Sequence, residues 1–109
     1  MSPNKERENK NFCLINDNSV NFDCIKNKLI SEKINEVFFY SKSLLYLKEE
    51  KDIESWILLA KDLSLNLYYC KKSADRQNLS LNDPFKASGL GQLVELIVLN
   101  KKTIVLGDL

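Results

Sequence analysis

The chain has 109 residues, 44% hydrophobic and 28% charged, and Lys+Arg 16 against Asp+Glu 15 leave a net charge of +1. That length and composition suit one domain with a single core, and so even a charge balance gives no electrostatic case for direct nucleic-acid binding. The absence of His excludes Cys-His and Ser-His hydrolase arrangements and the usual Cys/His zinc sites, and no apolar run approaches the roughly 18 residues of a membrane span.

Residues 1–10 are Pro-, Asn- and charge-rich, unlike a signal peptide. They predict a flexible polar lead-in to a single domain over 11–109. Asn11 to Asn16, with Phe12, Cys13, Leu14 and Ile15 in succession, predicts a buried strand. Asp17, Asn18 and Ser19 follow as a polar turn and offer N-cap candidates. From about Asn21 to Lys33 the pattern turns helical, with Phe22, Ile25, Leu29, Ile30 and Ile34 at the required spacing. Asn35 and Glu36 break it, and Val37 to Tyr40 predicts a second strand, apolar on both faces. Strand, helix and strand within about 30 residues form the unit of a parallel sheet.

Ser41 to Lys51 has no clear period; Leu44, Leu45 and Leu47 are apolar, and Lys48 to Lys51 is a charged edge. Asp52 is expected to cap a helix whose Ile53, Trp56, Ile57, Ala60 and Leu63 share one face. A third strand runs from Leu65 to Cys70, and Lys71 to Arg76 follows as a polar turn or the start of a short helix. Ser80 to Pro84 is a polar connection. Ser88 is the expected cap of a last helix, with Leu90, Leu93, Val94, Ile97 and Val98 as its apolar stripe. Asn100 to Lys102 ends that helix, and Thr103 to Leu106 predicts a final strand closed by Gly107. The predicted fold is a single-domain three-layer α/β/α arrangement with a small, mostly parallel sheet.

Three cysteines, Cys13, Cys24 and Cys70, form no CxxC pair or disulfide framework, which points to free thiols in a reducing, cytoplasmic setting. Cys13 within a strand and Cys24 within a helix are expected as small core residues. Cys70 is different, because in open parallel sheets functional groups gather at the carboxyl ends of strands. A following helix N-terminus, with Lys71, Lys72 and Arg76 nearby, favours a thiolate there. The alternative is an inert cysteine packed under the loop, and position alone weighs the two evenly. Gly89-Leu-Gly91 lacks the third Gly and the preceding strand of a phosphate loop, so its glycines are expected to permit close backbone packing. Val37 to Tyr40 and Leu90 to Leu99 hold more large apolar side chains than so small a monomer needs; a subunit interface or a dense core would account for them.

Two stretches together carry a resemblance. Leu65-Asn-Leu-Tyr-Tyr-Cys70-Lys-Lys-Ser-Ala-Asp-Arg76-Gln-Asn-Leu79 resembles the active-cysteine segment of the TusD-like sulfur-relay proteins of the DsrE family. There a strand ends in Cys, followed by small residues, a basic pair and Gly. Ser73 and Ala74 match the small positions and Arg76 the first basic one, while Gln77 and Asn78 replace the second basic residue and the Gly. Phe85-Lys-Ala-Ser-Gly-Leu-Gly-Gln-Leu-Val-Glu95 resembles the family's Phe-x-x-Ser-Gly-Leu-Gly-x-Leu-x-Glu, and Val37 to Tyr40 its second strand. The likeness covers about Phe12 to Asp108. It departs after the first strand, where Asn16-Asp-Asn-Ser19 stands for a Gly-Pro-x-Gly loop, and in a compact segment after Tyr40.

The resemblance implies a DsrE-like fold and a cytoplasmic sulfurtransferase subunit with Cys70 as its catalytic residue. That cysteine would accept sulfane sulfur as a persulfide from an upstream carrier protein and pass it to a downstream one. The relay would end in thiolation of the tRNA wobble uridine, with no cofactor or metal. It also implies assembly with TusB- and TusC-like subunits into a heterohexamer. The alternatives are a non-catalytic interaction subunit of the same kind of complex, and a nucleotide-binding module using Ser88 to Gly91.

Overall fold

A computed structural model describes residues 11–100 and 102–107; the lead-in expected at 1–10, and Lys101, lie outside the described residues. Five short segments pair into one sheet: β1 (Asn11–Ile15), β2 (Glu36–Phe39), β3 (Asn66–Cys70), β4 (Phe85–Ser88) and β5 (Lys102–Leu106). Their order is β4-β3-β2-β1-β5, and every pairing is parallel. The expectation of a mostly parallel sheet thus tightens to an all-parallel one. Parallel neighbours need crossover connections. These are α1 (Phe22–Ser31), a 3-10 helix (Ser41–Leu47), α2 (Glu50–Leu63), α3 (Lys71–Arg76) and α4 (Leu90–Leu99).

The inner strands β1, β2 and β3 are largely apolar on both faces because both are covered. On one face Cys13, Ile15, Val37, Phe39, Leu67 and Tyr69 meet Ile25 and Leu29 of α1, Leu44 and Leu47 of the 3-10 helix, and Trp56 and Leu59 of α2. Trp56 is the centre of that layer, standing edge-on to Phe39 at 4.9 Å and to Phe22 at 5.3 Å. On the other face Phe12, Leu14, Phe38 and Cys70 cluster with Leu96, flanked by Tyr40, Tyr68 and Leu93. The domain therefore has three layers, but α4 is the one helix lying on that second face among the described residues.

Several element ends differ from expectation. Asn21, not the turn before it, caps α1 by accepting the Cys24 N–H at 2.8 Å, while Asp17 accepts instead from the backbone and hydroxyl of Ser19. Glu36 breaks no helix: α1 has already ended at Ser31, and Glu36 is the buried first residue of β2. Glu49 rather than Asp52 occupies the N-cap of α2, and Asp52 sits in its first turn. The segment without a period forms the 3-10 helix, held by the Tyr46 hydroxyl, which donates to the Val20 carbonyl and accepts the Val20 N–H. Gly107, at φ +101°, has no room for a side chain: a Cβ there would lie 2.6 Å from Asp17 Oδ1.

The largest correction lies around α4. Phe85 to Ser88 is a strand, so Ser88 ends β4 and Gly89 takes the N-cap of α4 with no side-chain bond. Of the expected stripe, Leu90, Val94, Ile97 and Val98 are exposed; Leu96 faces the sheet instead, with Leu93 partly buried beside it. The end of α4 is fixed by a polar cluster. Buried Glu36 accepts from the Tyr68 hydroxyl at 3.0 Å and from Asn100 Nδ2 at 3.1 Å, and Asn100 Nδ2 also donates to the Leu96 carbonyl at 2.7 Å. Among the described residues no helix is long and apolar enough to cross a membrane.

Candidate functional site

The all-parallel sheet brings the carboxyl ends of its strands to one edge, where connections to helices begin. β3 ends there at Cys70, which is also the N-cap residue of α3, with extended backbone at φ −73° and ψ 115° and no side-chain cap bond. The positive end of the α3 dipole therefore meets the residue that carries the thiol. Ser73 and Ala74 are buried, so the first turn of α3 is anchored rather than frayed. A clamp on Ser41 completes the anchor. Ser73 Oγ accepts the Ser41 N–H at 3.2 Å, and Gln77 Nε2 donates to the Ser41 carbonyl at 2.9 Å. Ser41 itself has φ +56°, so these two bonds hold the chain in a turn that a non-glycine residue rarely adopts.

Cys70 lies beside β4 with Ser88 as its register partner. Parallel neighbours are roughly 4.8 Å apart and project side chains to the same face, so thiol and hydroxyl leave the sheet side by side. Directly after Ser88, Gly89 opens α4. Strand, glycine and helix thus follow one another, contrary to the expectation that no strand precedes Gly89. A Cβ at Gly89 or Gly91 would meet nothing within 4 Å, so the close backbone packing expected of these glycines is absent.

The structure does not gather the basic residues onto Cys70. Lys71 pairs with Asp75 at 2.9 Å on the exposed side of α3, and that hydrogen bond and charge raise the pKa of its ammonium. Lys72 and Arg76 are exposed. Cys70 itself is 4% exposed and packs in the cluster under Leu96. Ser41, Ser73, Gln77 and the facing Ser88 shape the site more directly. Sequence reasoning attached no structural role to the Ser41 clamp, since Ser41 lies 32 residues from Ser73.

The other two thiols separate cleanly. Cys13 is fully buried in β1, and desolvation pushes its thiol up to about 12, against a smaller pull from Lys28. Cys24 is exposed on α1, which corrects its expected place in the core. A maleimide probe is expected to label Cys24 in the native protein, Cys70 more slowly, and Cys13 only after unfolding. Peptide mapping over a time course checks this; native labelling of Cys13 at the Cys24 rate would contradict the burial.

Comparison with known proteins places the fold. No family model matches the chain, and no curated protein matches it. Five solved chains match. One is the crystal structure of the YchN protein from E. coli, with a TM-score of 0.65 and 11% sequence identity, covering 88% of this chain and 98% of that one. YchN has a DsrE-like fold, and this chain shares it.

Proposed function

We propose that this chain is a sulfur-relay sulfurtransferase that carries sulfur as a persulfide on Cys70. The observation behind this is the placing of Cys70, the one of three cysteines at the carboxyl edge of a DsrE-like parallel sheet and at the start of a helix. In the transfer, the Cys70 thiolate attacks the outer sulfur of a donor persulfide. The donor's S–S bond breaks, its inner sulfur departs as a thiolate, and Cys70 becomes Cys70–S–SH. An acceptor thiolate then attacks that outer sulfur, and Cys70 leaves as the thiolate. Sulfane sulfur moves with no net oxidant or reductant, and protons exchange with solvent. Following the TusD-like resemblance, the chain acts in the cytoplasm with TusB- and TusC-like subunits and protein sulfur carriers, towards the tRNA wobble uridine.

A second reading is an interaction subunit with a structural cysteine, and the 4% exposure of Cys70 favours it. Incubation with a small-molecule persulfide donor followed by intact mass measurement separates the two. Transfer predicts one added sulfur, removed by dithiothreitol, mapped to Cys70 and lost in Cys70→Ser. Uptake confined to Cys24, or none at all, would support the interaction subunit instead.

A further inference from the structure

The two faces of the sheet sort the groups around Cys70. Side chains alternate along β3, so Leu67 and Tyr69 join the first-face core, and Tyr68 and Cys70 the second-face cluster. α3 packs on the first face through Ala74, so the helix that carries Lys71, Lys72 and Arg76 lies across the sheet from the thiol. Partners for the sulfur must come from the second face. Phe38, Leu14 and Leu96 there are apolar. The Tyr68 hydroxyl is engaged by Glu36, which begins β2 at the other end of the sheet. Lys86, the register partner of Tyr68, holds its ammonium 5.8 Å from the Tyr68 ring centroid, and Glu95 of α4 is exposed. Tyr40 flanks the cluster from the end of β2, but a phenol carries its hydroxyl well beyond the height of a cysteine sulfur. Ser88 is the register partner of Cys70 itself, and it is half-buried. Its hydroxyl is not spent on capping α4, because Gly89 takes the N-cap with no side-chain bond.

We propose that the Ser88 hydroxyl donates a hydrogen bond to the Cys70 sulfur, favouring the thiolate and then holding the persulfide. The persulfide half of this rests on the sulfur-relay reading of Cys70; the thiolate half does not. Parallel neighbours stand roughly 4.8 Å apart, and two short side chains in register on one face need only a χ1 rotation each to bring oxygen and sulfur together. Burial works against an anion at such a place. Cys70 is 4% exposed, and at Cys13, buried in β1, desolvation pushes the thiol up to about 12. A donor aimed at the charged form offsets that cost. During transfer the Cys70 sulfur is an anion twice, when it attacks the donor persulfide and when it leaves, and one hydroxyl serves both steps. The hydroxyl keeps its proton throughout, so it adds no atom and no electron to the exchange.

The rate of Cys70 alkylation by iodoacetamide against pH, read by peptide mapping of the full-length chain, tests it. Exposed Cys24 in the same molecule is the internal reference. In Ser88→Ala the Cys70 rate at neutral pH is expected to fall about tenfold and its inflection to move up by about one pH unit, the loss of one hydrogen bond to a charged group. The Cys24 profile should stay where it is, and Ser88→Thr, which keeps the hydroxyl and suits a strand, should restore the wild-type profile. An unchanged Cys70 profile in Ser88→Ala would overturn the proposal. So would an equal loss in Ser88→Thr, which would make the effect one of packing, or a Cys70 that stays unlabelled at every pH. Alkylation needs no sulfur donor, so a wild-type chain that takes up no sulfur would remove the relay reading while the Ser88 profile still decides the hydrogen bond.

Discussion

Trp56→Ala is expected to destabilise the domain by about 3–5 kcal/mol, the cost of emptying a large buried aromatic site. The indole is 1% exposed and stands edge-on between Phe22 of α1 and Phe39 of β2, so its loss opens a cavity where two helices and the sheet meet. Neither neighbour can close the gap readily: Phe39 is held in the β ladder, and Phe22 begins α1 just after the Asn21 cap. Domains of this size have about 5–15 kcal/mol in all, so the variant should melt well over 10 °C lower. Leu58→Ala on the same helix is the control, because Leu58 is 63% exposed and should change stability by only about 0.5 kcal/mol. Urea unfolding of both variants measures the difference. A cost below about 1 kcal/mol at Trp56 would mean that the aromatic group is not the packing centre.

Glu36→Ala should have the next largest effect, about 2–4 kcal/mol, because it leaves the Tyr68 hydroxyl and an Asn100 amide hydrogen without their acceptor. Those two partners tie β3 and the end of α4 to β2, so the loss should also loosen α4, seen as faster amide exchange at Leu96 and Asn100. The same cluster makes the fold sensitive to alkali. Burial first, and the Glu36 carboxylate second, raise the Tyr68 phenol from 10.0 to about 12. Between those values the folded chain keeps a proton that the unfolded chain releases. This contribution is therefore whole below pH 10 and is lost as pH rises through about 12. Tyr68→Phe is expected to flatten that alkaline loss, and in Glu36→Ala an absorbance titration should show tyrosinate at lower pH than in the wild type. An unchanged titration would show that the carboxylate is not felt by the phenol.

How far the amino-acid pattern goes depends on how each element signals itself. β1, β2 and β3 are continuous apolar runs, and α1 and α2 show their buried faces through Ile25, Leu29, Trp56 and Ala60, so all five are legible. β4 is not. It has four residues at a sheet edge, and Phe85 alone among them is buried, so no alternation can register. The inward side of α4 is illegible for the opposite reason: eight of its ten residues are apolar or glycine, and periodicity cannot choose a face. Cys70 stands out because an apolar strand ends on it and a polar helix begins after it, whereas the Ser41 clamp and the Glu36 cluster join residues 32 to 64 positions apart. Lys71 shows the reverse failure. Sequence proximity suggested a cation for the thiol, and an i,i+4 pair with Asp75 takes it instead.

The strand order also fixes a sequence of events at the ribosome. β1 pairs with β2 on one side, from Phe12 to Ile15, and with β5 on the other, along all five of its residues. β2 emerges soon after β1, but β5 is the last strand of the sheet to be synthesised. At roughly 5–20 residues per second, the second edge of β1 stays open for several seconds while the rest of the domain is made. Phe12, Cys13, Leu14 and Ile15, all buried in the finished protein, are thus an uncovered sheet edge in the nascent chain. A chain interrupted before Lys102 keeps that edge, which makes it a template for mispairing and a target for nascent-chain chaperones.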